Sequence, residues 1–303
     1  MRAMLPDGHG SVVMDDVPDV TAGPGEVLVE VEAYSINRGE TFLLDEPRPG
    51  WRPGKDVAGT VLSAGPGAGF HPGERVVAHP EHSGWAERAV VPGDRLALLP
   101  DSVSTTVAAA LPLAGLTALR LVRVVGALPG RRILLTGASG GVGHYFVELA
   151  AAGGARVTAV CSTLTRGRRL LDRGACGVVT DVAQAHGPFD IVVETVGGDV
   201  FGRAWRQLAH RGLFVWMGQV SRQPSTIDFF DWTGGSNATM RKFLYTDDEA
   251  DDSADLATLV HLVAQGRLHP EIGRTDNWSR TPEVLGDLLN RRVRGNVVLE
   301  VTT

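Results

Sequence analysis

The sequence predicts an α/β protein of two domains, a partly open β-barrel and a doubly wound parallel sheet. Three observations predict it: short apolar segments between Gly-Pro turns up to about residue 115, alternating strands and helices from residue 131, and a glycine loop at one strand–helix junction. Val27, Val29, Val31 and Ala33 alternate with Leu28, Glu30 and Glu32, the pattern of a half-buried strand. Further strands are expected at 57–63, 74–78 and 86–91, turned by Gly23-Pro24-Gly25, Gly65-Pro66-Gly67 and Pro72-Gly73. Beyond residue 131, strands are expected at 132–136, 155–160, 177–180, 189–193 and 212–217, and helices at 142–152, 166–173 and 199–210. That rhythm builds a parallel sheet with helices on both faces. A last strand, Val297–Val301, either closes this sheet or returns to the first domain; periodicity leaves both open.

The 303 residues suffice for two ordinary domains. A net charge of -6 gives no general attraction to nucleic acid or anionic lipid. The apolar run Val107–Leu119 is broken by Pro112 and Gly115, and no run reaches the roughly 18 residues of a membrane span. Met1–Gly10 carries Asp7 and His9 and does not read as a signal peptide. The two cysteines, Cys161 and Cys176, suit a reducing, cytoplasmic compartment. The acidic run Asp247-Asp248-Glu249-Ala250-Asp251-Asp252 reads as a solvated loop.

The strongest local signal is Ile133-Leu134-Leu135-Thr136-Gly137-Ala138-Ser139-Gly140-Gly141-Val142-Gly143. An apolar strand enters a glycine loop and then a helix. Glycines let a backbone approach a pyrophosphate, and a helix N-terminus offers unpaired N–H groups and a positive dipole end. Ala138 replaces the first glycine of the usual dinucleotide fingerprint. An NAD site carries an acid about 20 residues further on, at the end of the second strand. Here that strand ends in Cys161-Ser162-Thr163, followed by Arg166, Arg168 and Arg169. A hydroxyl and guanidinium groups suit a 2′-phosphate, so NADPH is the expected cofactor.

At this point the chain resembles the medium-chain dehydrogenase/reductase superfamily, specifically its zinc-independent quinone oxidoreductase-like branch. Five segments carry the resemblance in order: Gly25-Glu26-Val27-Leu28-Val29, Ser35-Ile36-Asn37-Arg38-Gly39-Glu40, Pro53-Gly54-Lys55-Asp56-Val57-Ala58-Gly59, Leu111-Pro112-Leu113-Ala114-Gly115-Leu116-Thr117-Ala118, and the glycine loop. The resemblance implies a GroES-like catalytic domain of residues 1–115 and 268–303 and a Rossmann NADP(H)-binding domain of residues 116–267, with the active site in the cleft between them. It implies hydride transfer from NADPH to quinones or to the activated C=C bonds of enones. Asn37 and Thr117 would lie near the nicotinamide. Ser139, Gly140, Gly141, Val142 and Gly143 would hold the pyrophosphate, and Ser162 and Arg166, with Arg168 in reserve, the 2′-phosphate. Thr195, Val196, Gly197, Met217, Gly218 and Gln219 would line the cofactor. By analogy the chain would be a homodimer.

The departures matter as much. Zinc-using relatives carry a Cys and a Gly-His-Glu element where this chain has Asn37 and Gly54-Lys55-Asp56, and no thiolate cluster exists for a structural zinc. His79 and His82 read as surface residues. Several relatives place a Tyr where Phe42 stands, so Phe42 would line an apolar substrate pocket. Asn37, and as a candidate Tyr34, would supply hydrogen bonds to the substrate carbonyl, although Tyr34 equally fits a packed barrel tyrosine. No proton relay is visible. Arg294-Gly295-Asn296 stands where relatives often have Gly-Lys. The aromatics of Asp228–Thr233 fit cleft, core or dimer contact equally. Three other readings compete: a carbonyl or alcohol dehydrogenase, which without zinc would need a strong general acid that the sequence does not offer, a biosynthetic tailoring enzyme on the same scaffold, and a non-catalytic NADPH-binding sensor.

Overall fold

The computed structural model describes residues 1–246 and 251–302; Asp247, Asp248, Glu249 and Ala250 of the acidic run lie outside the described residues. By its contacts the chain divides into a first unit, Met1–Leu116 with Asp248–Thr303, and a second, Thr117–Asp247.

The first unit opens with a hairpin, β1 (Arg2–Pro6) and β2 (Val12–Asp16). There follow β3 (Glu26–Ser35), α1 (Arg38–Asp45), β4 (Val57–Ala64), β5 (Arg75–Ala78), β6 (Arg88–Pro92), β7 (Leu96–Leu98) and α2 (Thr105–Ala109), and then α3 (Pro112–Val125), whose residues from Thr117 on are counted with the second unit. β3 is the spine. Val27, Val29, Val31 and Ala33 are buried while Glu30 and Glu32 face out, as the alternation requires. Val27, Val29 and Val31 share one core with Val57, Val76, Trp85 and Trp278.

The second unit runs β8 (Arg132–Leu135), α4 (Gly141–Ala152), β9 (Arg156–Val160), α5 (Leu164–Asp172), β10 (Gly177–Val179), β11 (Phe189–Glu194), α6 (Asp199–Trp205), β12 (Leu208–Trp216) and β13 (Thr239–Lys242). Its sheet is parallel throughout, in the order β10-β9-β8-β11-β12-β13. Counted within the unit this is 3-2-1-4-5-6, with its switch point between β8 and β11. Expected helix 199–210 stops at Trp205, because Leu208 pairs with Phe189 and begins β12. Expected helix 166–173 starts earlier, at Leu164, because the Thr163 hydroxyl accepts the Arg166 N–H and caps it.

The chain then returns to the first unit as α7 (Asp252–Ala264), β14 (Ile272–Asn277), α8 (Thr281–Leu289) and β15 (Asn296–Glu300). The sheet order is β14-β15-β3-β4-β5-β7, with β6 also paired to β3, so it is open rather than a closed barrel. β15 answers the question left by periodicity: Val298 lies opposite Ser35, antiparallel to β3. The expected boundary at residue 268 puts α7 with the second unit. In the structure Ser253 donates to the Leu96 carbonyl and Leu259 packs on Gly115, so the helix belongs with the first.

Candidate functional site

In the second unit the candidate residues gather at the carboxyl edge of the sheet, where an open α/β sheet forms its crevice. β8 is followed by Thr136, whose hydroxyl donates to Glu194 Oε1 (3.1 Å) at the end of β11. The Thr195 hydroxyl donates back to the Thr136 carbonyl (3.0 Å), so the two loops flanking the switch point are tied together. Glu194 is fully buried, and burial raises its carboxyl pKa. It accepts the N–H groups of Val196 (2.8 Å) and Gly197 (3.0–3.1 Å) and so shapes the 195–197 loop. The Met217 N–H reaches the Glu194 carbonyl, and Val220 and Ser221 reach Thr195 and Val196. Thus Thr195, Val196, Gly197, Met217, Gly218 and Gln219 form one braced rim.

α4 begins at Gly141, with Gly140 as its cap. Its first amides have no intrahelical acceptor. A Cβ on Gly143 would stand 2.3 Å from the Ala138 carbonyl oxygen, so only glycine lets helix and loop approach this closely. A Cβ on Gly140 would meet nothing nearer than Gly137 O at 3.3 Å. Gly140, Gly141 and Val142 are each partly exposed, at a helix N-terminus of the kind that can hold an anion. At the end of β9, Ser162 is exposed. Arg166 is partly buried, with Nε 3.4 Å from the Ser139 hydroxyl, beside the glycine loop. Arg168 is exposed. Thr117, the first residue of this unit, is 5% exposed.

In the first unit Asn37 caps α1 in a capping box with Glu40, and donates Nδ2 to Asp56 Oδ2 (2.6 Å). One of its two amide hydrogens is therefore directed inward. Asp56 also accepts from the Ser35 hydroxyl (2.5 Å) and the Leu113 N–H (2.9 Å). Glu40 accepts from the Asn37 N–H (3.0 Å) and the Gly54 N–H (2.8 Å). Burial, reinforced by the Asp56 charge, pushes the Glu40 carboxyl up to about 8. Phe42 is 40% exposed on α1.

Two expectations are corrected. Tyr34 is fully buried, stacked on Trp85, with its hydroxyl 2.5 Å from Thr281 Oγ1. Its phenol is pushed well above the usual range by burial, and it is a core group rather than a donor to substrate. His79 is buried, not on the surface: its Nδ1–H donates to the Lys55 carbonyl (2.7 Å), 3.5 Å from Asp56. His82 is exposed, as expected. Sequence reading missed Glu194, Thr163, Glu40 and Asp56 as organising groups. For Glu194 the available signal was a carboxylate ending an apolar run, Ile191-Val192-Val193-Glu194.

Cys161 is buried and Cys176 exposed, and both are free thiols. Among the described residues no group of three or more His, Cys, Asp or Glu is placed to hold a metal ion. No helix among them is long and apolar enough to cross a membrane.

Residues 23–101 match the family described as an alcohol dehydrogenase GroES-like domain, and residues 176–299 one described as a zinc-binding dehydrogenase. The chain is 29% identical over 99% of its length to 98% of a chloroplastic quinone oxidoreductase of Triphysaria versicolor. A mycobacterial protein solved with NADPH is similar over 99% of both chains, with 27% identity and a TM-score of 0.88. A structure described as an NAD-dependent alcohol dehydrogenase covers 100% of both chains at 26% identity and a TM-score of 0.88.

Proposed function

The chain belongs to the medium-chain dehydrogenase/reductase superfamily, in its quinone oxidoreductase-like branch, and from that premise we propose that it is an NADPH-dependent reductase of quinones and enones. The observation that carries this reading is the braced crevice of the second unit, with a glycine cradle on one side and Arg166 rather than an acid beyond it.

Bound NADPH supplies a hydride from its nicotinamide ring. The chain's residues bind and orient it. The amides of Gly141, Val142 and Gly143 hold the pyrophosphate over the open face of Gly140, Ser162 and Arg166 hold the 2′-phosphate, and the 195–197 and 217–219 rim the remainder. Thr117 and Asn37 serve the nicotinamide end, and Phe42 gives the substrate an apolar wall. Negative charge that develops on the substrate oxygen needs donors aimed at it. We further propose that the enzyme works without zinc, that it is cytoplasmic, and that it is a homodimer. Lys55 and Asn37 in place of metal ligands support the first, two free thiols the second, and the fully exposed strand β13 at the edge of the parallel sheet the third.

A panel of quinone, enone and aldehyde with NADPH tests the reading. Oxidation of NADPH with quinone or enone and none with aldehyde is expected, and metal analysis should find far less than one zinc per chain. A second reading, alcohol or aldehyde dehydrogenase, is favoured by the 26% identity to an NAD-dependent alcohol dehydrogenase. Turnover of aldehyde with NADH, lost on chelation, would establish it instead.

A further inference from the structure

Residues 217–238 connect β12 to β13, two neighbouring parallel strands. Such a crossover ordinarily carries a helix that lays its apolar side on the sheet. This one holds no helix, and its largest apolar side chains lie in solvent. Phe229, Phe230 and Trp232 are 79%, 74% and 76% exposed, more than any other large apolar residue among the described residues. A core cluster of this unit, with Phe201, Trp205, Phe214, Trp216 and Ala238, is built without them. Nor is the loop loose. Phe229 meets Phe230 edge-on with ring centroids 5.4 Å apart, and meets Trp232 at 6.2 Å. The Asp228 carboxylate accepts the Phe230 N–H (2.9 Å), and Asp231 accepts the Thr233 N–H (3.0 Å) and the Arg206 Nε–H (2.5 Å). The far foot is tied to β12: the Gly235 N–H donates to the Leu208 carbonyl and the Arg211 N–H to the Ser236 carbonyl, each at 2.9 Å. Gly235 passes so close to the Trp205 ring that a Cβ there would stand 2.6 Å from it. A braced loop thus holds three aromatic side chains in water, directly before the exposed edge strand β13.

We propose that Phe229, Phe230 and Trp232 are the anchor on which a second copy of this chain docks. This rests on the homodimer reading and goes beyond it in naming the side chains that carry the association. Area favours a second copy. Aromatic side chains bury about 150–250 Å² each, so at these exposures the three offer roughly 450 Å², or about 900 Å² from two copies. A stable interface buries about 1,200–2,000 Å² in total, and the β13 edge, with Met240 and Leu244 also exposed, supplies the remainder. Charge favours it too. Two chains of net charge -6 repel, yet segment 227–244 balances Asp228 and Asp231 against Arg241 and Lys242. In a two-fold contact every meeting of one residue with another occurs twice, so a segment of both signs can face itself without opposing like charges. An anionic lipid surface would instead select a basic patch. Aromatic anchors on a braced loop lose little freedom on docking, which is what concentrates binding energy in a few residues.

The test is sedimentation of wild type, the double variant Phe229→Ser with Trp232→Ser, and Met240→Glu over a range of concentrations. The double variant should raise the dimer dissociation constant by at least about a hundredfold, with NADPH affinity by calorimetry unchanged. A second readout needs no disruptive change: Trp232 emission, taken as the difference between wild type and Trp232→Phe, should move to the blue as concentration rises and the ring leaves water. If Met240→Glu splits the dimer while the double variant stays paired and Trp232 emission stays fixed, the edge contact stands and the anchor fails. If the double variant is monomeric and Met240→Glu is not, the anchor stands and the edge reading fails. A double variant that stays dimeric but loses affinity for NADPH or enone would assign these side chains to the reaction site and sink the proposal. A wild type that is monomeric at every concentration overturns it as well, and pelleting of that monomer with phosphatidylcholine vesicles would give the loop to a lipid surface instead.

Discussion

Arg166 and Arg168 stand two positions apart on α5, which turns their side chains roughly 200° away from each other. Only Arg166 is near the glycine loop, so only its loss should be felt by a 2′-phosphate. A hydrogen bond to a charged group contributes on the order of 1.5–3 kcal/mol. Arg166→Ala should therefore weaken NADPH by about 10- to 150-fold and leave NADH nearly unchanged, while Arg168→Ala leaves both alone. Calorimetry with both cofactors checks this; equal losses for the two variants would place the 2′-phosphate elsewhere. Glu40 offers a pH test. Its folded pKa of about 8 lies above the ordinary 4.5. Between those values the unfolded chain has released a proton that the folded chain keeps. Its contribution to stability is thus full below about pH 4.5 and lost as pH rises through 8. Glu40→Gln cannot titrate, so its unfolding free energy should decline less between about pH 5 and pH 8 than that of wild type. Parallel curves from urea titrations would show that Glu40 is ionised in the fold.

Among elements, the junction of β8 and α4 is the most sharply constrained. Alanine at Gly143 would gain up to about 1 kcal/mol in helix propensity. Against that, its Cβ would overlap the Ala138 carbonyl at 2.3 Å, and the repulsion wins because backbone cannot swing aside as a side chain can. Gly143→Ala should lower stability by roughly 1–3 kcal/mol or more and weaken NADPH binding, read by thermal melts with and without cofactor. This junction was legible in the sequence because strand, glycines and helix are all local signals. β3 was legible because its alternation is complete. β13 was not: Thr239-Met240-Arg241-Lys242 is exposed throughout and carries no alternation to read. β14 was missed because polar residues fill it, and Arg274 is anchored by Asp276, Glu283 and Asp287, which only the fold brings near. Glu194 and Asp56 were missed for a related reason. Their roles come from burial and from partners up to 58 residues away in sequence, and no periodicity encodes either. The same holds in reverse for Tyr34, which looked available until Thr281 and Trp85 closed around it.

For the whole molecule, the proposed dimer turns on the open edge at β13. A four-residue strand with every side chain exposed and one pairing partner presents unpaired backbone groups to another copy. Light scattering should give the mass of two chains, and Met240→Glu, which puts a charge on that edge, should shift the population toward one. A wild type that stays monomeric at all concentrations would refute the dimer. The pairing of β15 with β3 has a different consequence, in the order of events during synthesis. Ser35 waits for Val298, so the first unit cannot complete its sheet until nearly the whole chain has left the ribosome. The β8–β13 sheet is contiguous in sequence and carries no such delay. Pulse-labelled hydrogen exchange during refolding should find amides of β8, β9 and β11 protected before those of β3 and β15. Until then the Ala33–Ser35 end of β3 is an unfinished edge, which makes the newborn amino-terminal segment a part of this protein in need of a chaperone.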